Sequence, residues 1–435
     1  MDSGVVRIHK RSGASLKLDY EIDGDNLEKL GQSVAVSKGV TFGGEKSEMV
    51  IVGAPRSSKG KIEGGMAQVF YYSDWNRKWE QLGQDIVGKW DEEFLGEAVA
   101  ISDDGMVICV ATSVGDSQNR GRVDVYKFDE FSKNWKEMGF PLSGKVDGAK
   151  FGTSVSIVQR VTNDNDPEKY YIAVGAPQVM SGKGIVQIFH WDDDVGDWNQ
   201  LGKDIMGDLT NDQLGQSISL VANKNFLYLA VGVPSARSEG GDGDDDDADS
   251  RVQVYSYDTS LNELETDWEW FGDEIEEVDD LDGTGECVAL SEDGMLLAIG
   301  SSKYDGGNGM VRVYEYSQVY DDYVKMGETL YGKSGEGFGT SLSFAGGDLA
   351  VGSPAANIVH IFEYSGGSSP FGIGKLIAAV VCLGVIGYLA MYFYKKLVNR
   401  GFKWSSFVAA LPGISAVRRQ GHSNVSTEET SRAFP

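Results

Sequence analysis

Phe151-Gly152-Thr153-Ser154-Val155 opens a unit of about sixty residues that decides the fold, because similar units recur along the chain. Six openings of this kind are recognisable, each a step into an alternating strand that is marked by glycine. A second strand then ends in a Gly-x-Pro turn, which is Gly175-Ala176-Pro177 in this unit. In two units the turn has decayed, to Ala111-Thr112-Ser113 and to Gly300-Ser301-Ser302.

The rest of each unit predicts two more strands. Val186-Gln187-Ile188-Phe189 alternates with a period of two, which is typical of a strand with one covered face. Trp198-Asn199-Gln200-Leu201-Gly202 then adds an aromatic residue and a glycine on a fourth strand. Four short strands cannot bury both of their faces, so neighbouring blades must stack around an axis. The sequence therefore predicts an all-β fold over residues 1–364, a β-propeller of six or seven four-stranded blades.

The blade count depends on how the ring closes, because the sequence begins in the middle of a blade. Val5 to Lys10 matches the third-strand pattern, and Leu16 to Ile22 matches the fourth. In one closure this N-terminal fourth strand completes the last of six blades. In the other there are seven blades, and the sequence lacks an upstream stretch that holds two strands. Since the start also carries no signal peptide, we expect one missing upstream segment to explain both features.

The paired Phe/Leu-Gly and Gly-Ala-Pro elements resemble the FG-GAP repeats of integrin α-subunit propellers over most of residues 1–364. The resemblance implies loops between first and second strands that hold calcium with alternating Asp and Asn ending in Asp-Gly. Two equivalent loops, Ser102-Asp103-Asp104-Gly105 and Ser291-Glu292-Asp293-Gly294, are too short and predict tight hairpin turns. A third loop alternates but runs into Pro167 without the glycine. Its candidate calcium ligands are Asn163, Asp164, Asn165 and Asp166.

Other candidate sites are weaker. The anionic run at residues 242–249 favours a solvated insertion over an ion site, and the acidic stretch at 279–283 is similar. The four histidines are scattered, and there is no phosphate loop, nucleophile elbow or metal-ligand cluster. We therefore predict that the protein is not an enzyme. The alternative is a glycan-cleaving propeller enzyme, with acidic residues that converge in the central channel.

The tryptophans divide into two groups. The first group recurs at one position of the fourth strand and predicts packing between blades. Its members are Trp79, Trp135, Trp198 and Trp268. The second group falls outside that register, and we treat its members as candidate ligand contacts. They are Trp75, Trp90, Trp191 and Trp270.

An almost uninterrupted apolar run, residues 376–394, follows a short linker at residues 365–375. Its length predicts one C-terminal transmembrane helix. Aromatic residues end the run and lysines follow it, which places the basic tail at residues 395–435 in the cytoplasm. The propeller is then extracellular or lumenal, at the plasma membrane or an endomembrane. The other topology is a cytosolic propeller with an anchor inserted after translation.

Charge narrows the class of partner. The formal net charge is -27, while the part from Leu376 onward has seven Lys or Arg against two Glu. A propeller this negative repels phosphate backbones, so we expect no nucleic-acid partner. We predict a membrane-anchored recognition scaffold that binds a protein or glycan. A structural subunit of a membrane complex is the remaining alternative.

Overall fold

The computed structural model describes residues 3–12, 15–25, 27–37, 40–42, 45–160, 169–234, 250–261, 266–276 and 282–363. These residues form an all-β propeller of six blades, preceded by a two-stranded hairpin. The candidate calcium ligands at 163–166, the acidic run at 242–249 and the predicted linker, membrane helix and tail lie outside the described residues. Among the described residues, no helix is long and apolar enough to cross a membrane.

The strands follow the chain blade by blade, and in every blade the first, second and third strands are sheet neighbours in that order. The hairpin consists of β1 (Val5–Ser12) and β2 (Ser15–Asp23). Blade one contains β3 (Ser33–Val36), the ribbon β4 (Val40–Phe42) and β5 (Glu45–Ser47), then β6 (Met49–Ala54), β7 (Met66–Ser73), β8 (Lys78–Gln81) and β9 (Ile86–Val87). Blade two contains β10 (Ala98–Ile101), β11 (Val107–Thr112), β12 (Arg122–Asp129), β13 (Asn134–Glu137) and β14 (Leu142–Ser143).

The later blades repeat this order. Blade three contains β15 (Ser154–Arg160), β16 (Lys169–Ala176), a helical turn α1 (Val179–Gly182), β17 (Ile185–Asp192), β18 (Asp197–Gln200) and β19 (Ile205–Met206). Blade four contains β20 (Ile218–Ala222), β21 (Phe226–Val233), β22 (Arg251–Asp258), β23 (Glu269–Trp270) and β24 (Ile275–Glu276). Blade five contains β25 (Cys287–Leu290), β26 (Leu296–Ser301), α2 (Tyr304–Gly307), β27 (Met310–Ser317), β28 (Asp322–Lys325) and β29 (Leu330–Tyr331). Blade six contains β30 (Ser341–Ala345), β31 (Asp348–Ser353), a 3-10 turn (Pro354–Ala356) and β32 (Ile358–Glu363).

The two glycine motifs meet where one blade packs on the next. A Cβ on Gly175, at the end of the second strand of blade three, would lie 2.0 Å from the carbonyl oxygen of Gly215. Gly215 begins blade four, and that same carbonyl accepts a hydrogen bond from Ser154 Oγ at 2.7 Å. The repeated Phe-Gly and Gly-Ala-Pro elements therefore keep the backbones of neighbouring blades in close contact, which explains why they recur in phase.

Three of the four repeated tryptophans, Trp135, Trp198 and Trp268, pack between blades as the sequence predicted, whereas Trp79 packs against the N-terminal hairpin. Trp135 on blade two is buried against blade one, and its indole N–H donates to the carbonyl of Leu82 at 2.9 Å. The ring lies over Gly83, where a Cβ would come within 2.7 Å of Trp135 Cδ1. We call this arrangement the outer ring contact: an aromatic ring on the fourth strand of one blade lies over the fourth-strand glycine of the preceding blade. Trp198 over Gly139 repeats it, with a bond to Met138 O at 2.8 Å.

Closure of the ring differs from the expectation that the N-terminal fourth strand completes the last blade. Among the described strands, β2 pairs only with β1, and blade six pairs through β30, β31 and β32 alone. The hairpin instead packs on blade one, where Trp79 donates to Asp19 at 3.0 Å. The described residues contain six first strands and seven third strands, counting β1, as the sequence predicted.

Candidate functional site

A surface cavity of about 510 Å³ lies where two loops meet at blade two. One loop, residues 88–95, connects blade one to blade two, and the other, residues 113–121, joins β11 to β12. Both lie at the same end of the blade because antiparallel strands bring every second connection to one face. The described residues that line the cavity are Trp90, Asp91, Glu92, Glu93, Val114, Gly115, Asp116, Ser117 and Asn119.

Trp90 is the aromatic residue of the site, and its indole is 53% exposed. The guanidinium of Arg122 lies 4.6 Å from the centre of the indole ring. Such cation–π contacts stabilise by about 0.5–2 kcal/mol, depending on how far the pair is removed from water. The contact holds one face of Trp90 against β12 while about half of the side chain stays accessible.

Arg122 is itself held by buried carboxylates. It donates from Nη2 to Glu93 and, at 2.8 Å, to Asp124. Glu93 and Asp124 are each only 2% exposed, so this is an ion pair removed from water. Glu93 also accepts the backbone N–H groups of Lys89 and Trp90. The buried network therefore fixes both the cation behind the indole and the backbone that carries it.

Hydrogen bonds hold both loops of the cavity in place. The backbone N–H of Glu92 donates to the carbonyl of Ile62 at 2.7 Å, and Asp91 accepts the N–H of Ile62 at 3.0 Å. On the other side, Thr112 accepts the backbone N–H of Gly115 at 3.1 Å and donates to the carbonyl of Glu93. Thr112 belongs to one of the two turns that have lost Gly-x-Pro, so the decayed motif shapes this cavity.

The lining of the cavity is rich in carboxylates. Four of its described lining residues are acidic and none is basic. At the rim, burial alone would raise the pKa of Asp116. The backbone N–H and the guanidinium of Arg120 outweigh that effect and hold the pKa below its usual value. Asp116 thus stays a carboxylate at neutral pH, and its ion pair with Arg120 is partly exposed.

The buried arginine–carboxylate pair of blade two has a counterpart in blade four. In blade four, Arg251 occupies the position of Arg122 and pairs with the buried Asp212 at 2.8 Å. The buried guanidinium–carboxylate pair is therefore a feature of the fold that occurs in more than one blade. Trp90 and the acidic cavity are what distinguish blade two.

The four tryptophans that the sequence offered as candidate ligand contacts lie in different surroundings. Trp75 is 86% exposed in the turn between β7 and β8, and Trp270 is half exposed on the outer edge of blade four. Trp191 packs edge to face on Trp198, with ring centres 5.4 Å apart. Only Trp90 of this group lines the cavity described above.

The turns at 102–105 and 291–294 are tight, as predicted: Gly105 and Gly294 have positive φ, and each donates its N–H to the serine three residues earlier. The described residues contain no cluster of three or more metal-ligating side chains. The predicted calcium ligands at 163–166 lie outside them, so that site stays a prediction.

Sequence reasoning missed the polar network at this site. Arg122 stands at the start of the third strand, where blades one and three have Met66 and Ile185. Asp124 stands two residues later, where those blades have glutamine. Since Arg251 matches Arg122 in blade four, the departure of Asp124 from glutamine was the available signal, because a residue that breaks a structural repeat is not explained by the repeat.

Comparisons with known proteins identify no family. No family model matches the chain, and no curated protein matches it. One similar solved structure is a proposed 6-phosphogluconolactonase from Bacteroides uniformis, with a TM-score of 0.48 and 12% identity over 77% of this chain and 80% of that one. Another is Sqt1 from Saccharomyces cerevisiae, with a TM-score of 0.39 and 12% identity over 75% of this chain and 81% of that one.

Proposed function

We propose that the protein is a membrane-anchored recognition scaffold that binds a cationic side chain of a partner protein in the Trp90 cavity. The observation that carries the proposal is the combination of a half-exposed indole, fixed from behind by Arg122, with a lining of four acidic residues and no basic one, of which Glu93 and Asp116 already pair with Arg122 and Arg120. An arginine or lysine side chain is the ligand that both features attract, through the ring face and through the carboxylates.

The charge state of the described carboxyl groups supports the binding proposal. An acid–base enzyme in the central channel would need a carboxyl group whose pKa is raised towards neutrality. Wherever the pKa of a described carboxyl group is shifted, as for Asp85 and Asp116, it is shifted downward. Such groups are permanent anions at neutral pH and suit the attraction of a cation better than proton transfer.

The binding test is a calorimetric titration of the full chain in detergent with the peptide Gly-Arg-Gly-Arg-Gly. We expect Trp90→Ala to weaken binding about 2- to 30-fold, the range that corresponds to about 0.5–2 kcal/mol for a cation–π contact. The matched control is Trp75→Ala, which removes an exposed tryptophan from a turn at the other end of a blade. Binding should also weaken as salt rises, because the rim carboxylates are partly screened.

Three outcomes would contradict the proposal. Equal binding of the neutral peptide Gly-Gln-Gly-Gln-Gly would remove the requirement for a cation. An equal loss in Trp75→Ala would remove the role of this particular indole. Binding of chitotriose that depends on Trp90, with no binding of the arginine peptide, would replace the cationic partner by a glycan.

The anchor rests on the apolar run at residues 376–394. Leu383→Arg together with Val385→Arg should release the protein from membranes on carbonate extraction, since each arginine at the centre of a span costs about 2.5–3.5 kcal/mol. The control pair is Ser405→Arg with Ser406→Arg in the basic tail. Retention of both double variants in the membrane fraction would refute the anchor.

A further inference from the structure

The outer ring contact recurs between successive blades and shows what normally covers the outer edge of a blade. Trp135 lies over Gly83, Trp198 over Gly139 and Trp268 over Gly202. A Cβ on these glycines would come within 2.7, 3.0 and 2.8 Å of the Cδ1 atom of the ring. In each case the indole N–H donates to the carbonyl of the residue before the glycine, at 2.9, 2.8 and 3.2 Å. The contact therefore combines ring packing with one directed hydrogen bond.

The fourth strand of blade five is followed by the same glycine, Gly327, but no described aromatic ring covers it. Gly327 has a φ of +67°, close to the +73° of Gly83, yet no atom of the described residues lies within 4 Å of the position of its Cβ. An apolar cavity of about 220 Å³ adjoins it, several times the roughly 30 Å³ share of a water molecule. We call it the blade-six cavity. Its lining includes Met326, Gly327 and Leu330 from blade five with Phe344, Leu349 and Phe362 from blade six.

The third strand of blade six is exposed along its outer edge. In blades one to five the third strand pairs with a fourth strand and with a further short strand. Among the described strands, β32 pairs only with β31. Ile358, Val359 and Ile361 are 44%, 62% and 40% exposed, whereas the first five residues of β22, the third strand of blade four, are all buried. A sheet edge of this kind is a template for an added strand.

The other blades identify the chemistry of the occupant: an extended strand with an indole or phenol donor four residues before a glycine. The segment that follows β32 does not have that pattern, because Tyr364 stands four residues before Ser368, and Phe371, which has no donor, stands four residues before Lys375. In a second copy, Trp135, Trp198 and Trp268 lie between that copy's own blades, so donating one of their strands would break that contact. Tyr20, which stands four residues before Gly24 on β2, already packs on blade one.

We propose that a strand from a partner polypeptide completes blade six by adding to the edge of β32 and placing an aromatic ring in the blade-six cavity. Backbone hydrogen bonds to β32 would supply affinity, and the ring over Gly327 would supply specificity, which is the usual division of roles in strand addition. The carbonyl of Met326 corresponds to those of Leu82 and Met138 and would accept the N–H of the ring. This surface is separate from the Trp90 cavity, so each proposal can fail without the other.

The probe is a fluorescently labelled peptide with the sequence of residues 132–144, the fourth strand and following segment of blade two. Fluorescence anisotropy with the full chain measures its binding. We expect the peptide to bind one equivalent of protein, and replacement of its tryptophan by alanine to weaken binding roughly tenfold or more. Gly327→Ala places a methyl group in the path of the ring and should weaken binding to a similar degree.

Gly335→Ala is the matched control. Gly335 has a φ of +70° and, like Gly327, no described neighbour within 4 Å of its Cβ position, so the substitution imposes the same backbone strain away from the cavity. We expect this variant to bind the peptide within about twofold of the natural chain. Since the backbone strain of an alanine at one exposed glycine position costs only about 1–2 kcal/mol, both variants should fold. The comparison of the peptide with and without its tryptophan uses the natural chain and does not depend on either variant.

Each other outcome overturns the proposal. Absence of binding, or equal binding of the peptide without tryptophan, would remove the ring from the contact. An equal loss in Gly327→Ala and Gly335→Ala would attribute the effect to strain. Self-association of the protein that the peptide reverses would identify a second copy as the occupant, and tighter peptide binding in Phe371→Ala would identify the following segment of the same chain.

Discussion

Gly83→Ala tests the contact that joins one blade to the next. Gly83 has a φ of +73°, and a left-handed conformation costs an alanine about 1–2 kcal/mol. The new Cβ would also lie 2.7 Å from Trp135 Cδ1, which overpacks a buried ring and costs a further 1–3 kcal/mol or so. We therefore expect the free energy of unfolding to fall by about 2–5 kcal/mol.

The control for this prediction is present in the same chain. Gly327→Ala imposes almost the same strain, at a φ of +67°, but meets no atom within 4 Å in the part of the chain that the structure describes, so it should cost only about 1–2 kcal/mol. The benefit that alanine brings by restricting the unfolded chain is common to both variants and cancels in the difference. Urea denaturation followed by tryptophan fluorescence measures both, from the midpoints at unchanged slope. Equal losses of stability would refute the steric argument and, with it, the outer ring contact.

Two further predictions concern buried and partly buried charge. Glu93→Ala leaves Arg122 buried with one carboxylate fewer, so it should lower the free energy of unfolding by about 3–5 kcal/mol in the urea assay. The control, Glu92→Ala at the exposed neighbouring position, should change the free energy of unfolding by less than about 0.5 kcal/mol. Similar values for the two variants would mean that the network is not buried in solution. Burial tends to raise the pKa of Asp85, but hydrogen bonds from Lys59 and from two glutamine amides outweigh burial and lower the pKa. The ionised carboxylate therefore stabilises the fold at pH values above its ordinary pKa, and this stabilisation is lost as the pH falls through the lowered value. Asp85→Asn should therefore flatten the acid side of the stability curve measured by urea midpoints from about pH 6 to pH 2, and an unchanged acid slope would count against this coupling.

Much of the propeller could be read from the sequence because its determinants are local and repeated. The period-two alternation of Val186-Gln187-Ile188-Phe189 and the glycine steps each reflect a requirement within a few residues, and their recurrence averages out individual exceptions. The repeated fourth-strand position distinguished the tryptophans that pack in the interior from the other tryptophans, and Trp135 and Trp198, which occupy that position, are both buried. The same register singled out Trp90 as an exception to the repeat.

The binding site was only partly visible in this way. Trp90 was a candidate, but the sequence could not show that Glu93, twenty-nine residues from Arg122, pairs with it behind the indole. An ion pair of that separation depends on where two loops meet, and no local pattern encodes the meeting point. The decayed turn at Thr112 was noticed as a loss of the motif, whereas in the structure it forms hydrogen bonds that shape the cavity.

The amino-acid sequence by itself determined the class of fold, the strand order within each blade and the rings that pack between blades. These follow from periodicity and from glycine geometry, which act over short stretches and repeat. Tertiary structure alone decided which carboxylates surround Trp90, how the hairpin packs on blade one, and that β32 presents an exposed edge beside an apolar cavity. The physical reason is that burial and pairing belong to contacts between distant segments, and their energies exist only once the blades have stacked.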